Sequence, residues 1–150
     1  MTPRFPIISI FNNALEIIQN ESQLTSATVL GVLKGNNNSL AYDINGDKWT
    51  YELISDNVKN NFLTRLLANT FYNPSIKVYP KWFKIEKYKL HELKIEINKC
   101  VDRDDDILTQ YIESDRLKQA INNSSSFDEV FQNLNMYVFN VDEQELYKEK

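Results

Sequence analysis

Between the runs "SLAYDI" (39–44) and "KWTYELI" (48–54) the chain places Asn45-Gly46, and no other short feature restricts the fold as much. Glycine tolerates the positive φ that tight antiparallel turns require, and Asn-Gly between alternating runs is the strongest local hairpin signal. In the second run Trp49, Tyr51 and Leu53 alternate with Thr50, Glu52 and Ile54, which predicts a strand with one buried face. Residues 40–44 and 48–54 are therefore expected to pair as an antiparallel hairpin. A sheet built on that hairpin needs other elements to cover it.

The flanking segments supply those elements. "PIISIFNNALEIIQNE" (6–21) carries Ile7, Ile10, Phe11, Leu15 and Ile18 at helical spacing, with Pro6 suited to a first turn, and predicts a helix. "TVLGVLKG" (28–35) is strand-like. "SDNVKNNFLTRLLANTFY" (55–72) reads as a helix capped by Ser55 or Asp56 and stopped by Asn73-Pro74. "SIKVYP" (75–80) is a short strand closed by Pro80, and "KWFKIEKY" (81–88) continues it after a break. "LHELKIEINKCV" (90–101) fits a helix through Leu90, Leu93, Ile97 and Cys100 and a strand through Leu93, Ile95 and Ile97; the long pattern rich in Glu and Lys favours the helix. After it, Ile107, Leu108, Tyr111, Ile112, Leu117, Ala120 and Ile121 predict a helix or helix pair. "SFDEVFQNL" (126–134) opens with a Ser126–Glu129 capping box, "MYVFNV" (136–141) reads as a final strand, and a polar tail occupies about 142–150. The expected fold is α+β: a single domain over 1–150, with a mostly antiparallel sheet, a central hairpin and several packing helices.

Many functions are excluded by what is missing. His91 is the only histidine, which removes two-histidine ribonuclease centres, histidine-rich zinc sites and HExxH helices. Three glycines in the whole chain, with neither GxxxxGK[ST] nor GxGxxG, leave no phosphate cradle. Cys100 and His91 cannot form a thiol dyad on one helix, since nine residues at about 100° each set them on opposite faces. A lone cysteine fits a reducing compartment, no apolar run approaches the roughly 20 residues of a membrane span, and "MTPRFPIISIF" does not read as a signal peptide. The expectation is a cytoplasmic protein that is not an enzyme, holds no cofactor or metal and touches no membrane.

The strongest remaining feature is "VDRDDDILTQ" (101–110), with Asp102, Asp104, Asp105 and Asp106 in five positions. Asp102, Asp104, Asp106 and Glu113 match four positions of a calcium loop. The sixth position needs a sharp turn suited to glycine, and there stands Ile107, hostile to positive φ. Helix-start capping accounts for one or two of the aspartates, and the remainder are either a solvated face or a patch for a basic partner. Charge is divided to match: residues 1–100 hold 12 Lys/Arg and 9 Asp/Glu (net +3), residues 101–150 hold 5 and 12 (net −7). The candidate partner-binding residues are Asp102, Asp104, Asp105, Asp106, Tyr111, Glu113 and Asp115, with Tyr111 as the anchor. Two alternatives stay open. One is a small metal-dependent enzyme or nuclease using Asp104, Asp106 and Glu92. The other is a nucleic-acid module using the stretch 77–89, where Lys77, Lys81, Lys84, Lys87 and Lys89 interleave with Tyr79, Trp82, Phe83 and Tyr88. The competing account of that stretch is a strand with a lysine-decorated edge and with Trp82, Phe83 and Ile85 in the core.

In size, in its one-domain α+β reading and in the acidic "DRDDDILTQYIESD" segment that follows a lysine-rich stretch, the chain resembles the cytosolic immunity proteins of bacterial contact-dependent growth inhibition and related polymorphic toxin systems. The resemblance implies a tight one-to-one complex with a basic toxin domain, often a nuclease, whose working surface is occluded. It implies no role for any individual residue.

Overall fold

A computed structural model of the chain describes residues 1–11, 14–24, 26–28, 39–55, 75–103 and 107–139. These form strands β1 (Ile7–Phe11), β2 (Ala14–Ile18), β3 (Ser26–Thr28), β4 (Leu40–Asp43), β5 (Asp47–Ile54), β6 (Ser75–Lys77) and β7 (Tyr79–Lys87), and helices α1 (Leu90–Arg103), α2 (Ser114–Asn122) and α3 (Phe127–Leu134). The fold is α+β, with one antiparallel five-stranded sheet in the order β2-β1-β4-β5-β7 and a small β3-β6 pair.

The β4–β5 hairpin forms as its turn chemistry requires. Ala41 faces Trp49 and Tyr42 faces Lys48 across the ladder. Gly46 takes φ +81° and donates its N–H to the Asp43 carbonyl at 3.2 Å. The Asp43 side chain is almost fully buried and gathers four N–H groups. Oδ1 accepts from the backbone of Asn45 and Asp47, both at 2.9 Å; Oδ2 accepts from Trp49 Nε1 at 2.9 Å and Arg4 N at 3.2 Å. A buried carboxyl satisfied in this way locks the turn to the N-terminal segment and to the buried Trp49 of β5.

The sheet is apolar on both faces. One face carries Ile8, Ile10, Leu15 and Tyr42 against Leu93, Ile97 and Cys100 of α1, Leu117 and Ile121 of α2, and Val130, Phe131 and Leu134 of α3. The other carries Ile7, Ile18, Ala41, Trp49 and Tyr51, closed over by Phe5, Leu24 and Trp82. On that second face Ser9 Oγ and Tyr51 OH share a buried hydrogen bond of 2.9 Å.

Three expectations fail for stated reasons. Residues 7–11 and 14–18 form the antiparallel β1–β2 pair, Ile7 facing Ile18 and Ile10 facing Leu15, and not a helix. Strand β1 has a neighbour on each side and both faces covered, so Ile7, Ile8 and Ile10 are all buried and no period of two appears. Residues 135–139 continue α3 as a turn of π-helix (Asn135–Phe139) and not as a strand, with Tyr137, Val138 and Phe139 half-buried against the helical core. Residues 107–112 are turns, so helix α2 starts only at Ser114. Residues 56–72 of the predicted helix, most of "TVLGVLKG", the residues after 139 and Asp104, Asp105 and Asp106 lie outside the described residues.

Candidate partner interface

Helix α1 turns Leu93, Ile97, Cys100 and Val101 into the core, which leaves Asp102 and Arg103 exposed in its last turn. Asp102 thus ends a helix instead of starting one, at the negative end of the macrodipole, where a carboxylate needs a cation. Lys118 of α2 supplies it through an ion pair. The helix-start account therefore does not apply to Asp102, and its charge is partly spent within the molecule.

Beyond the aspartates, Leu108 is buried and pins the connecting turns to the core, while its neighbours point outward. Ile107 is 72 % exposed and Tyr111 44 %. Glu113 is the residue that precedes α2: its backbone is extended and its carbonyl accepts from Leu117 N at 3.0 Å, but its side chain makes no capping hydrogen bond. Asp115 lies in the first turn. It is Glu113 and Asp115, not Asp102, that sit at the positive end of a helix dipole. Both remain directed to the surface.

Tyr111 and Glu113, but not Asp115, border a groove of about 490 Å³. Tyr111, Ile112 and Glu113 form one side, Arg116, Gln119 and Ala120 of α2 with its C-terminal cap Asn123 form its length, and Tyr137 of the π-turn joins them. The spacing 116, 119, 120, 123 is one stripe of a helix, with the smallest side chain in its middle. Sequence reasoning brought Tyr111, Glu113 and Asp115 to this region and missed Arg116, Ala120, Asn123 and Tyr137. The helical stripe was a usable signal for the first three; Tyr137 was hidden by the strand-like composition of "MYVFNV".

A second groove of about 460 Å³ shares Ala120 and Asn123 and reaches Asp128 and Glu129 on α3. There the capping box is shifted by one residue. Ser126 Oγ accepts from Glu129 N at 3.2 Å, while Glu129 Oε2 accepts from the backbone and hydroxyl of Ser125 at 2.6 and 2.9 Å. The Ser125 amide and hydroxyl hold the Glu129 carboxyl below its ordinary pKa.

The lysine-aromatic stretch is largely committed to its own sheet. Lys84 and Lys87 both reach Asp47 at 3.1 Å, and Lys81 lies over the Phe83 ring at 5.3 Å. Trp82 packs on Tyr51 and Phe5, with ring centroids 4.7 and 6.1 Å apart, and donates its Nε1–H to Glu21 at 3.1 Å. Phe83 and Ile85, expected in the core, are exposed instead, because β7 is the edge of the sheet. Pro80, which has no N–H for a ladder, is accommodated on that same edge strand.

Of the alternative metal site only Glu92 lies among the described residues: it accepts from Lys89 N in the first turn of α1. His91 is exposed and Cys100 buried, on opposite sides of α1. Among the described residues no group of three or more His, Cys, Asp or Glu is placed to hold a metal ion, and no helix is long and apolar enough to cross a membrane. Comparisons with protein-family models, with curated proteins and with solved structures find no match to this chain.

Proposed function

We propose that this chain is a cytoplasmic inhibitor of the bacterial immunity type, which neutralises a basic toxin domain, such as a nuclease, by forming a tight complex through the surface around α2. The observation that carries the reading is Tyr111. A large aromatic ring stands 44 % exposed beside a groove, flanked by Glu113 and followed by Asp115. Aromatic side chains ringed by polar groups are the usual energetic centres of protein interfaces, and an acidic rim complements a surface made to hold phosphates. The net −7 of residues 101–150 supports the same partner chemistry.

The division of labour follows from the physics. Rim charges act on the association rate, and a buried ring acts on dissociation. Replacing Asp104, Asp105 and Asp106 together by Asn is expected to slow association with the cognate toxin domain and to flatten its salt dependence. Tyr111→Ala is expected to speed dissociation by about tenfold or more. Surface binding at two salt concentrations measures both. Parent-like kinetics of both variants at both salts would remove the acidic surface as the interface.

A further inference from the structure

Ala120 stands in the middle of the stripe formed by Arg116, Gln119 and Asn123, and its single methyl leaves a dent where its neighbours carry long side chains. The geometry points to this dent as the receptacle for one arginine side chain of a basic protein partner. The assignment rests on the reading that the partner is a basic protein, and it names the group that is recognised and the place where it docks.

Three features of the lining fit a guanidinium. The Glu113 carboxylate borders the dent and is not used by the helix cap beside it, so it is available to accept a charge-assisted hydrogen bond. The amide oxygens of Gln119 and Asn123 add neutral acceptors along the wall. Tyr111 and Tyr137 line the same groove from two separate segments, and a flat delocalised cation packs on aromatic rings better than an ammonium does. A guanidinium presents five N–H donors in a rigid plane and therefore exploits several acceptors and flat walls at once, whereas an ammonium makes three point contacts. Arg116 is the opposing charge among the lining residues. It repels an incoming guanidinium, so its removal acts with the opposite sign to the removal of Glu113.

The test uses the whole chain and a defined probe. N-acetyl-arginine N-methylamide is titrated into the protein while backbone amide shifts are followed by NMR, with the citrulline analogue as the neutral isostere and the lysine analogue as the point-charge control. The expected result is saturable shifts at Ala120 and Tyr137 with the arginine probe, and binding about tenfold weaker or more with citrulline and with Glu113→Gln, the loss of one hydrogen bond to a charged group. Arg116→Gln is expected to tighten binding, and Ala120→Phe, which fills the dent without changing any charge, to abolish it. If Ala120→Phe fails to fold, the opposite signs of Glu113→Gln and Arg116→Gln carry the test. Absent or scattered shifts, or equal binding of arginine and citrulline probes, overturn the assignment. Failure of the inhibitor reading is separately visible. The absence of any complex with the toxin domain removes that reading, whereas a complex formed equally well by Ala120→Phe removes the arginine site alone.

Discussion

Asp43 and Gly46 sit three residues apart in one turn and contribute by different physics. Asp43 is 1 % exposed, and its two oxygens accept four N–H groups from three segments of the chain. Asp43→Ala strands those donors in a buried site, and urea unfolding is expected to show a loss of about 3 kcal/mol or more. Asp43→Asn is expected to cost less, since its carbonyl oxygen keeps the two turn bonds while its NH₂ meets the Trp49 and Arg4 donors. At Gly46 the space is open: a Cβ would come no nearer than 4.0 Å to the Tyr88 carbonyl. Gly46→Ala therefore reports the cost of φ +81° alone, about 1 kcal/mol in the same measurement. A Gly46→Ala loss as large as that of Asp43→Ala would show that the turn is held by conformation and not by the carboxylate.

Helices α1 and α2 are fastened to each other at both ends of their contact. Lys118 pairs with Asp102, Lys94 Nζ donates to the Asn122 carbonyl at 3.0 Å, and Asn98 Nδ2 donates to Asn122 Oδ1 at 2.8 Å. An exposed ion pair contributes little stability, between about 0 and 1 kcal/mol, and Asp102 opposes the dipole at its helix end. Asp102→Asn is thus expected to leave the unfolding midpoint almost unchanged. Because Lys118 already engages Asp102, the same substitution is expected to slow partner association less than Glu113→Gln or Asp115→Asn, whose carboxylates are free of that pairing. Equal slowing by all three would place Asp102 within the interface after all. Of these elements the Ser126 cap was expected from the sequence, and helix α1 was favoured over a strand there by the length of its pattern and its Glu and Lys content. The place of Asp102 in the last turn of α1 was not expected.

The molecule as a whole should respond to pH at both extremes. Hydrogen bonds from Lys84 and then Lys87 hold the Asp47 carboxyl below its ordinary pKa, as Ser125 does for Glu129. The stability these groups contribute is complete above the ordinary values of 3.8 and 4.5 and is lost as pH falls through their lowered folded values. Burial pushes the Tyr42 phenol up to about 12 and raises that of Tyr88 as well, so their contribution is complete below the ordinary 10.0 and is lost as pH rises beyond it. The melting temperature is expected to be flat between about pH 5 and 9 and to fall on either side. Asp47→Asn with Glu129→Gln should flatten the acid limb, and Tyr42→Phe the alkaline one. Unchanged limbs in these variants would assign the pH response to other groups. At this scale the sequence by itself determined the α+β class and the β4–β5 hairpin, because turn chemistry and alternation act over a few residues. Tertiary structure alone decided that residues 7–11 and 14–18 pair as strands, since Ile7, Ile8 and Ile10 are buried by two different layers and lose the alternation that marks a half-buried strand. It also decided that Tyr137 joins Tyr111 across α2, because a π-turn packed on the helical core overrode the β-propensity of its own residues.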